Sequence, residues 1–413
     1  MTPGFDPRID RRHAAWCGAV LMTAAVLAPL FGWLAPLGFA PLAALAGVIG
    51  LKSVWLDQRD LPWAAPLLVM LCWATLSIIW SPFRPDDLEG WTALKLVLQA
   101  VVYWACVCAA AQAGSDERRA ALLVFTWGMA GLGVVFLIEG LSGALIYQTL
   151  RNLLGDPIRP DLAAKNVAQG GFVLAVLWPP AALAAWRIGA PRWLGLVMVA
   201  GLVVSSLAFG ADAPILAAVL AVAAAAAVTR WPLLAPRVLA GGAAAFFLGA
   251  PMAVAAAKAS GLYAKLEAAA PLSWSQRMGY WSHAVRWIRD HPLRGWGLDA
   301  SRSFAPGIKL HPHDAALQIW LELGVVGAVC AAAFWAAVFL RMSRKTPNAA
   351  MAAGAAAAVS YLVFGAVSFG VWQEWWLAVG GLAATFVLAV DRQPALVRAG
   401  APMRTSTTGP ILK

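Results

Sequence analysis

Residues 315–340 read Ala-Ala-Leu-Gln-Ile-Trp-Leu-Glu-Leu-Gly-Val-Val-Gly-Ala-Val-Cys-Ala-Ala-Ala-Phe-Trp-Ala-Ala-Val-Phe-Leu, with a single charged residue, Glu322. A run of this length crosses a hydrocarbon core of about 30 Å as one helix. Similar apolar runs recur from end to end and show no dyad alternation, so helices rather than a barrel satisfy the backbone in lipid. The composition agrees: 61% of the 413 residues are hydrophobic, 12% are charged, and the mean hydropathy is +0.72. A soluble domain carries about 25% charge.

Twelve spans are expected, at approximately 15–35, 37–56, 62–80, 91–113, 119–139, 166–186, 192–210, 213–229, 234–256, 315–340, 349–369 and 372–390. The first, preceded by Arg8, Arg11 and Arg12, reads as an uncleaved helix. An even number puts both termini on one side. The short loops on that side and the termini hold about 18 of the 31 Lys and Arg, whereas the opposite short loops hold only Arg84. By the positive-inside rule the termini are cytoplasmic. The net charge of +11 is thus spent on orientation rather than on a nucleic-acid surface. The five cysteines fall in or beside apolar runs and read as small hydrophobes, with no disulfide framework. The tracts Ala223–Ala227 and Ala355–Ala358 are expected to pack helices closely. Residues 1–392 form the membrane domain, and 393–413 a disordered cytoplasmic tail.

Two outward segments break the charge rule. Residues 140–165 carry Arg151, Arg159 and Lys165; residues 257–314 carry eight basic residues against four acidic ones, with four of the five histidines. An anionic ligand explains the excess, with a solvated basic loop as the alternative. Ser275–Asp290 reads as an amphipathic helix: Trp274, Met278, Trp281, Val285 and Ile288 share one face, and His283, Arg286 and Asp290 the other. Arg277, at the margin, either snorkels to headgroups or projects into a cavity. His291–Pro292 stops the helix, and Arg294-Gly-Trp-Gly permits a tight turn.

His311-Pro-His-Asp then opens the span at 315, with Asp314 as N-cap. The helix dipole and the arginines should depress the His313 pKa and keep a neutral, basic imidazole there. Gln318 lies one turn in. Glu322 lies deeper, either functional or a helix-packing hydrogen bond. His-x-His-Asp could ligate zinc, but it lacks a structural-site spacing and sits among eight cations, so no metal is expected.

Three stretches carry a resemblance to a known family. They are Trp73-Ala-Thr-Leu-Ser-Ile-Ile-Trp-Ser-Pro; Arg277-Met-Gly-Tyr-Trp with His291-Pro-Leu-Arg-Gly-Trp-Gly-Leu; and His311-Pro-His-Asp with Gln318, Glu322-Leu-Gly and Gly327. Lys165-Asn166 is a weaker match. With these the chain resembles the bacterial O-antigen ligase and O-antigen polymerase superfamily of membrane glycosyltransferases. The resemblance implies an all-α, polytopic membrane helical bundle (GT-C-like) of about twelve transmembrane helices in the bacterial inner membrane. Its periplasmic loop would bear an amphipathic helix. It implies transfer of a glycan from undecaprenyl diphosphate to an acceptor sugar, without metal or other cofactor. The acceptor is a glycolipid: lipid A-core for a ligase, a second lipid-linked repeat for a polymerase. By the same resemblance His313 is the base that activates the acceptor hydroxyl, and Arg277 holds the diphosphate. Arg286, Arg289, Arg294, Arg159 and Lys165 are further diphosphate candidates, and His311, Asp314, Gln318 and Glu322 complete the expected substrate-binding set. The chain departs from the family in having Asp314 where Asn is usual, and Phe209-Gly-Ala-Asp where Ser-Arg is common. A transporter is the competing class; it should show midplane polar groups and paired broken helices.

Overall fold

The computed structural model describes residues 11–87 and 90–395, and among these lie fifteen α-helices and no strand. In chain order they are α1 (Arg11–Leu34), α2 (Phe39–Ile49), α3 (Leu61–Ser77), α4 (Thr92–Gln112) and α5 (Ser115–Ser142). Next come α6 (Leu145–Leu153), α7 (Pro160–Ile188), α8 (Trp193–Ala208), α9 (Asp212–Arg230) and α10 (Leu234–Ala259). The last are α11 (Leu262–Ala269), α12 (Leu272–Asp290), α13 (Ala315–Arg341), α14 (Ala349–Val367) and α15 (Glu374–Arg392). The expected tail falls almost wholly at 396–413, outside the described residues.

Every expected span finds a helix within several residues, and ten are long and apolar enough to cross a membrane. The chain is a polytopic helical membrane protein. Two expected spans prove shorter. The eleven residues of α2 reach only about 16 Å at 1.5 Å each. A 3₁₀ turn at Pro36–Gly38 precedes α2, and Gly50 closes it. The sixteen residues of α8 are bounded by Pro191 and by Gly210 at φ 63°. The bundle's outer surface is apolar, as contact with lipid requires: Leu196 and Val219 are 72% and 61% exposed.

Close packing comes from other residues as well as the alanine tracts. Ala355, Ala356 and Ala357 are buried, but of Ala223–Ala227 only Ala224 is, because α9 packs by one face at the periphery. At the close crossing of α5 on α8, a Cβ on Gly201 would fall 2.0 Å from the Gly133 carbonyl oxygen.

Buried side chains form two main clusters. One joins α1, α2, α4, α5, α7, α8 and α15, with Phe125 stacked on Phe386 at 3.6 Å. The other joins α3, α10, α12, α13 and the chain around 298–308. The 257–314 segment, with four of the histidines and Arg277, packs around this second cluster.

Candidate active site

The seat of the site is a break in α13. Gly324 has φ 64° and ψ −158°, a conformation a side chain forbids, and the helix is interrupted there. The backbone groups released by the break are taken up by the preceding loop. Trp296 N–H donates to the Leu321 carbonyl (2.9 Å), Gly297 N–H to that of Glu322 (2.8 Å), and Val325 N–H to that of Pro292 (2.9 Å). The Trp73 indole donates to the Leu323 carbonyl (3.0 Å). Ser77 Oγ accepts from Leu298 N–H (2.9 Å), and Ser81 Oγ donates to the Leu298 carbonyl (2.8 Å). An uninterrupted span was the expectation, whereas the tight turn expected at Arg294-Gly-Trp-Gly forms and brings its backbone against α13. The three motif stretches, joined across 250 positions by the Trp73–Leu323 bond, are one hydrogen-bonded unit. Unpaired backbone is tolerated at such depth only when protein pairs it.

Glu322 is the hub beneath this unit and is fully buried. Its Oε1 accepts from Ser301 Oγ (2.7 Å) and Gln318 Nε2 (3.1 Å); its Oε2 accepts from Asp299 N–H (3.0 Å) and the Trp372 indole (2.5 Å). Four donors thus meet the two oxygens of this carboxylate, the helix-packing role expected as one alternative. Gln318 is likewise engaged, its Oε1 accepting from Val371 N–H at 2.9 Å. Asp314 caps α13 as expected, Oδ1 accepting from Leu317 N–H at 2.9 Å, and burial pushes its carboxyl up to about 7. All three side chains are buried.

His313 is different. Its neighbours His311, Pro312 and Asp314 are buried, whereas His313 is only partly covered. Its φ of 57° is a left-handed conformation that a residue with a Cβ adopts at a cost of about 1–3 kcal/mol. Its Nδ1 lies 2.6 Å from the Ser368 carbonyl oxygen. A carbonyl can only accept, so Nδ1 carries the hydrogen and Nε2 keeps its lone pair. The imidazole pKa is lowered chiefly by burial; the Ser368 contact raises it, and the Arg277 charge lowers it. The expected direction holds, but desolvation rather than the dipole is the leading cause. His311 is enclosed: its Nδ1 accepts from His313 N–H (3.2 Å), its Nε2 meets the Gln373 carboxamide (3.3 Å), and burial holds its pKa down to about 3. It braces the mouth as a neutral ring, 4.2 Å from that of His313.

The amphipathic helix α12 lies across this mouth. It begins at Leu272, three residues before the expected start, and buries Met278, Val285 and Ile288. The Trp281 indole donates to the Pro312 carbonyl (3.0 Å), and Tyr280 lies nearly parallel to the His313 ring at 6.1 Å. Arg277, one turn earlier, is half-buried over the Trp274 ring at 5.3 Å. Among the described residues no carboxylate pairs with it. Burial shifts its pKa downward, yet a guanidinium stays charged. An uncompensated, partly desolvated cation thus stands beside a neutral imidazole.

The remaining candidates divide. Arg286 and Arg289 are exposed on α12 with no ion pair among the described residues. Arg294 is exposed and rests over Trp80 at 5.7 Å. Arg159 is spent on exposed Asp161 (2.8 Å). Lys165 lies in the second turn of α7 rather than at its opening, because that helix starts at Pro160. Phe172, a further two turns along, packs on Phe369 at 4.8 Å. Sequence reasoning missed the α14–α15 turn, Ser368–Gln373, and the ring of Tyr280. The only hint was polar Gln373-Glu374 beside two tryptophans in an apolar stretch.

Fold and site together define a polytopic helical membrane protein with a histidine–arginine site at the end of the bundle where α10 stops and α13 starts. Residues 196–332, about a third of the chain, match the family model described as O-antigen ligase. A candidate polysaccharide ligase of Rickettsia conorii (strain ATCC VR-613 / Malish 7) is 27% identical over 122 residues, covering 26% of this chain and 30% of the relative. Another, of Rickettsia prowazekii (strain Madrid E), is 26% identical over 126 residues, with the same shares. The chain thus matches under a third of the length of these relatives. No solved structure matches it. These matches support placing the chain in the O-antigen ligase superfamily.

Proposed function

We propose that the protein is a glycosyltransferase of the O-antigen ligase type. It moves a glycan from undecaprenyl diphosphate to lipid A-core at the periplasmic face of a bacterial inner membrane, in lipopolysaccharide assembly. The observation that carries this reading is His313, with Nδ1 committed to the Ser368 carbonyl, no hydrogen bond on Nε2 among the described residues, and the charge of Arg277, which has no carboxylate partner among them, felt at the ring. Nε2 takes the proton of an acceptor sugar hydroxyl as the oxygen attacks the anomeric carbon. The bond to the lipid diphosphate breaks, and the leaving diphosphate gains negative charge. Arg277 neutralises that charge through a bidentate fork, with Arg286, Arg289 and Arg294 on the same approach. No step calls for a metal. The matches to an O-antigen ligase model and to relatives named as polysaccharide ligases support glycan transfer of this class, and lipid A-core is the acceptor proposed for it. A polymerase would use the same donor chemistry.

His313→Ala should lower transfer by about 10²- to 10⁴-fold in a reconstituted assay with lipid-linked donor, while donor still binds. Wild-type rates in that variant would end the base assignment. Supplying lipid A-core or a second lipid-linked repeat as sole acceptor separates ligase from polymerase, and activity lost to EDTA would overturn the metal-free step.

A further inference from the structure

The imidazole of His313 is oriented by a part of the chain that lies outside every motif quoted above. The turn between α14 and α15 makes four contacts to the histidine mouth and its support. The Ser368 carbonyl accepts from His313 Nδ1 (2.6 Å), and Val371 N–H donates to Gln318 Oε1 (2.9 Å). The Trp372 indole donates to Glu322 Oε2 (2.5 Å), and Gln373 meets His311 Nε2 (3.3 Å). Gly370 presses on the His311 ring so closely that a Cβ would fall 2.9 Å from its Cδ2. The turn is therefore held from α13, by Gln318 and Glu322, and it delivers one backbone acceptor to His313.

We infer that Gln318 is a positioning residue for the His313 base, acting through the Ser368–Gln373 turn. This rests on the reading of His313 as the base. Gln318 bridges the buried carboxylate and the turn: Nε2 donates to Glu322 Oε1 (3.1 Å) while Oε1 accepts from Val371. With the turn fixed three residues past Ser368, the Ser368 carbonyl cannot swing away. Nδ1–H then stays the stable tautomer, and the lone pair stays on Nε2. The strained φ of 57° at His313 needs such external support, since a free loop would relax it. Gln318 touches no substrate in this arrangement; its effect on chemistry runs through the imidazole.

Three variants of the full-length protein in detergent or nanodiscs test this. Gln318→Met keeps length and volume but removes both hydrogen bonds. Gln318→Glu in its protonated form keeps both, the hydroxyl donating to Glu322 and the carbonyl accepting from Val371. His313→Ala reports on the base itself. With ¹⁵N-histidine labelling, wild type should show an Nδ1–H signal that disappears in His313→Ala. Gln318→Met should weaken or lose that signal and lower kcat about 10- to 100-fold with donor KM within about twofold. Gln318→Glu should restore most of both. If Gln318→Met folds with wild-type kcat and the Nδ1–H signal intact, the positioning role is wrong. Should Gln318→Met fail to assemble, Gln318→Glu decides: retention of the signal and kcat supports the bridge, and loss of both overturns it. If His313→Ala is active, the base reading fails, and the tautomer signal still tests the bridge on its own.

Discussion

The two basic segments that break the charge rule look alike in sequence and differ in structure. The 140–165 segment folds as α6, a short amphipathic helix, and spends its arginines locally: Arg151 pairs with Asp156, and Arg159 with Asp161. Arg159 and both acids are well exposed, and Arg151 is one-third exposed, so these pairs contribute little to stability. The 257–314 segment carries α11 and α12 and is tied into the bundle through the break in α13. Its Arg277 has no acidic partner among the described residues and is partly desolvated over Trp274. A count of positive charges therefore does not find an anion site. A cation without a carboxylate partner and partly shielded from solvent is the better candidate for one, because its field is less cancelled and less screened.

Glycine substitutions should separate the two segments most strongly. Gly155 and Gly324 both have positive φ, but a Cβ on Gly155 meets nothing within 4 Å, whereas one on Gly324 would fall 2.4 Å from the Leu293 carbonyl oxygen. Gly155→Ala should cost about 1–2 kcal/mol of backbone strain. Gly324→Ala adds overpacking against backbone and should cost about 3 kcal/mol or more, seen as a large drop in Tm in detergent. Equal shifts would show that the loop and the broken helix are not one unit.

The arginines come next. Arg277→Ala should lower transfer about 10- to 100-fold and Arg277→Lys should recover only part of it, since an ammonium lacks the planar fork. Arg159→Ala should stay within about twofold of wild type. A comparable loss in Arg159→Ala would mean that the two segments share the diphosphate.

The smallest effect is on pH. The base must be neutral, and burial holds the His313 pKa below its ordinary 6.5, so the acid limb of the activity profile should lie below pH 6.5. The Arg277 cation contributes to that lowering, so its removal should raise the His313 pKa and move the limb upward. Arg159→Ala should leave the limb in place. A downward shift in Arg277→Ala would contradict the proximity of the two groups.

Much of the fold was legible because lipid leaves the backbone one solution. Each long apolar run had to be a helix, and Asp314 had to cap one, so the spans and the cap emerge from residue order alone. The apolar face of α12 was legible for the same reason: periodicity records what is buried, and Met278, Val285 and Ile288 are. The sequence also placed His313 at the mouth of α13 and Arg277 on α12. It did not separate the cations paired locally from those left free, because Asp161 beside Arg159 reads no differently from Asp290 beside Arg289 until the side chains have directions. Nor did it show that Gly324 breaks the helix, that Glu322 is saturated by four donors, or that a carbonyl at Ser368 sets the tautomer of His313. Most of those are contacts between residues 21 to 55 positions apart, several of them made by backbone groups that every residue carries. Residue order marks which side chains are available; only the tertiary structure decides which backbone carbonyl each of them meets.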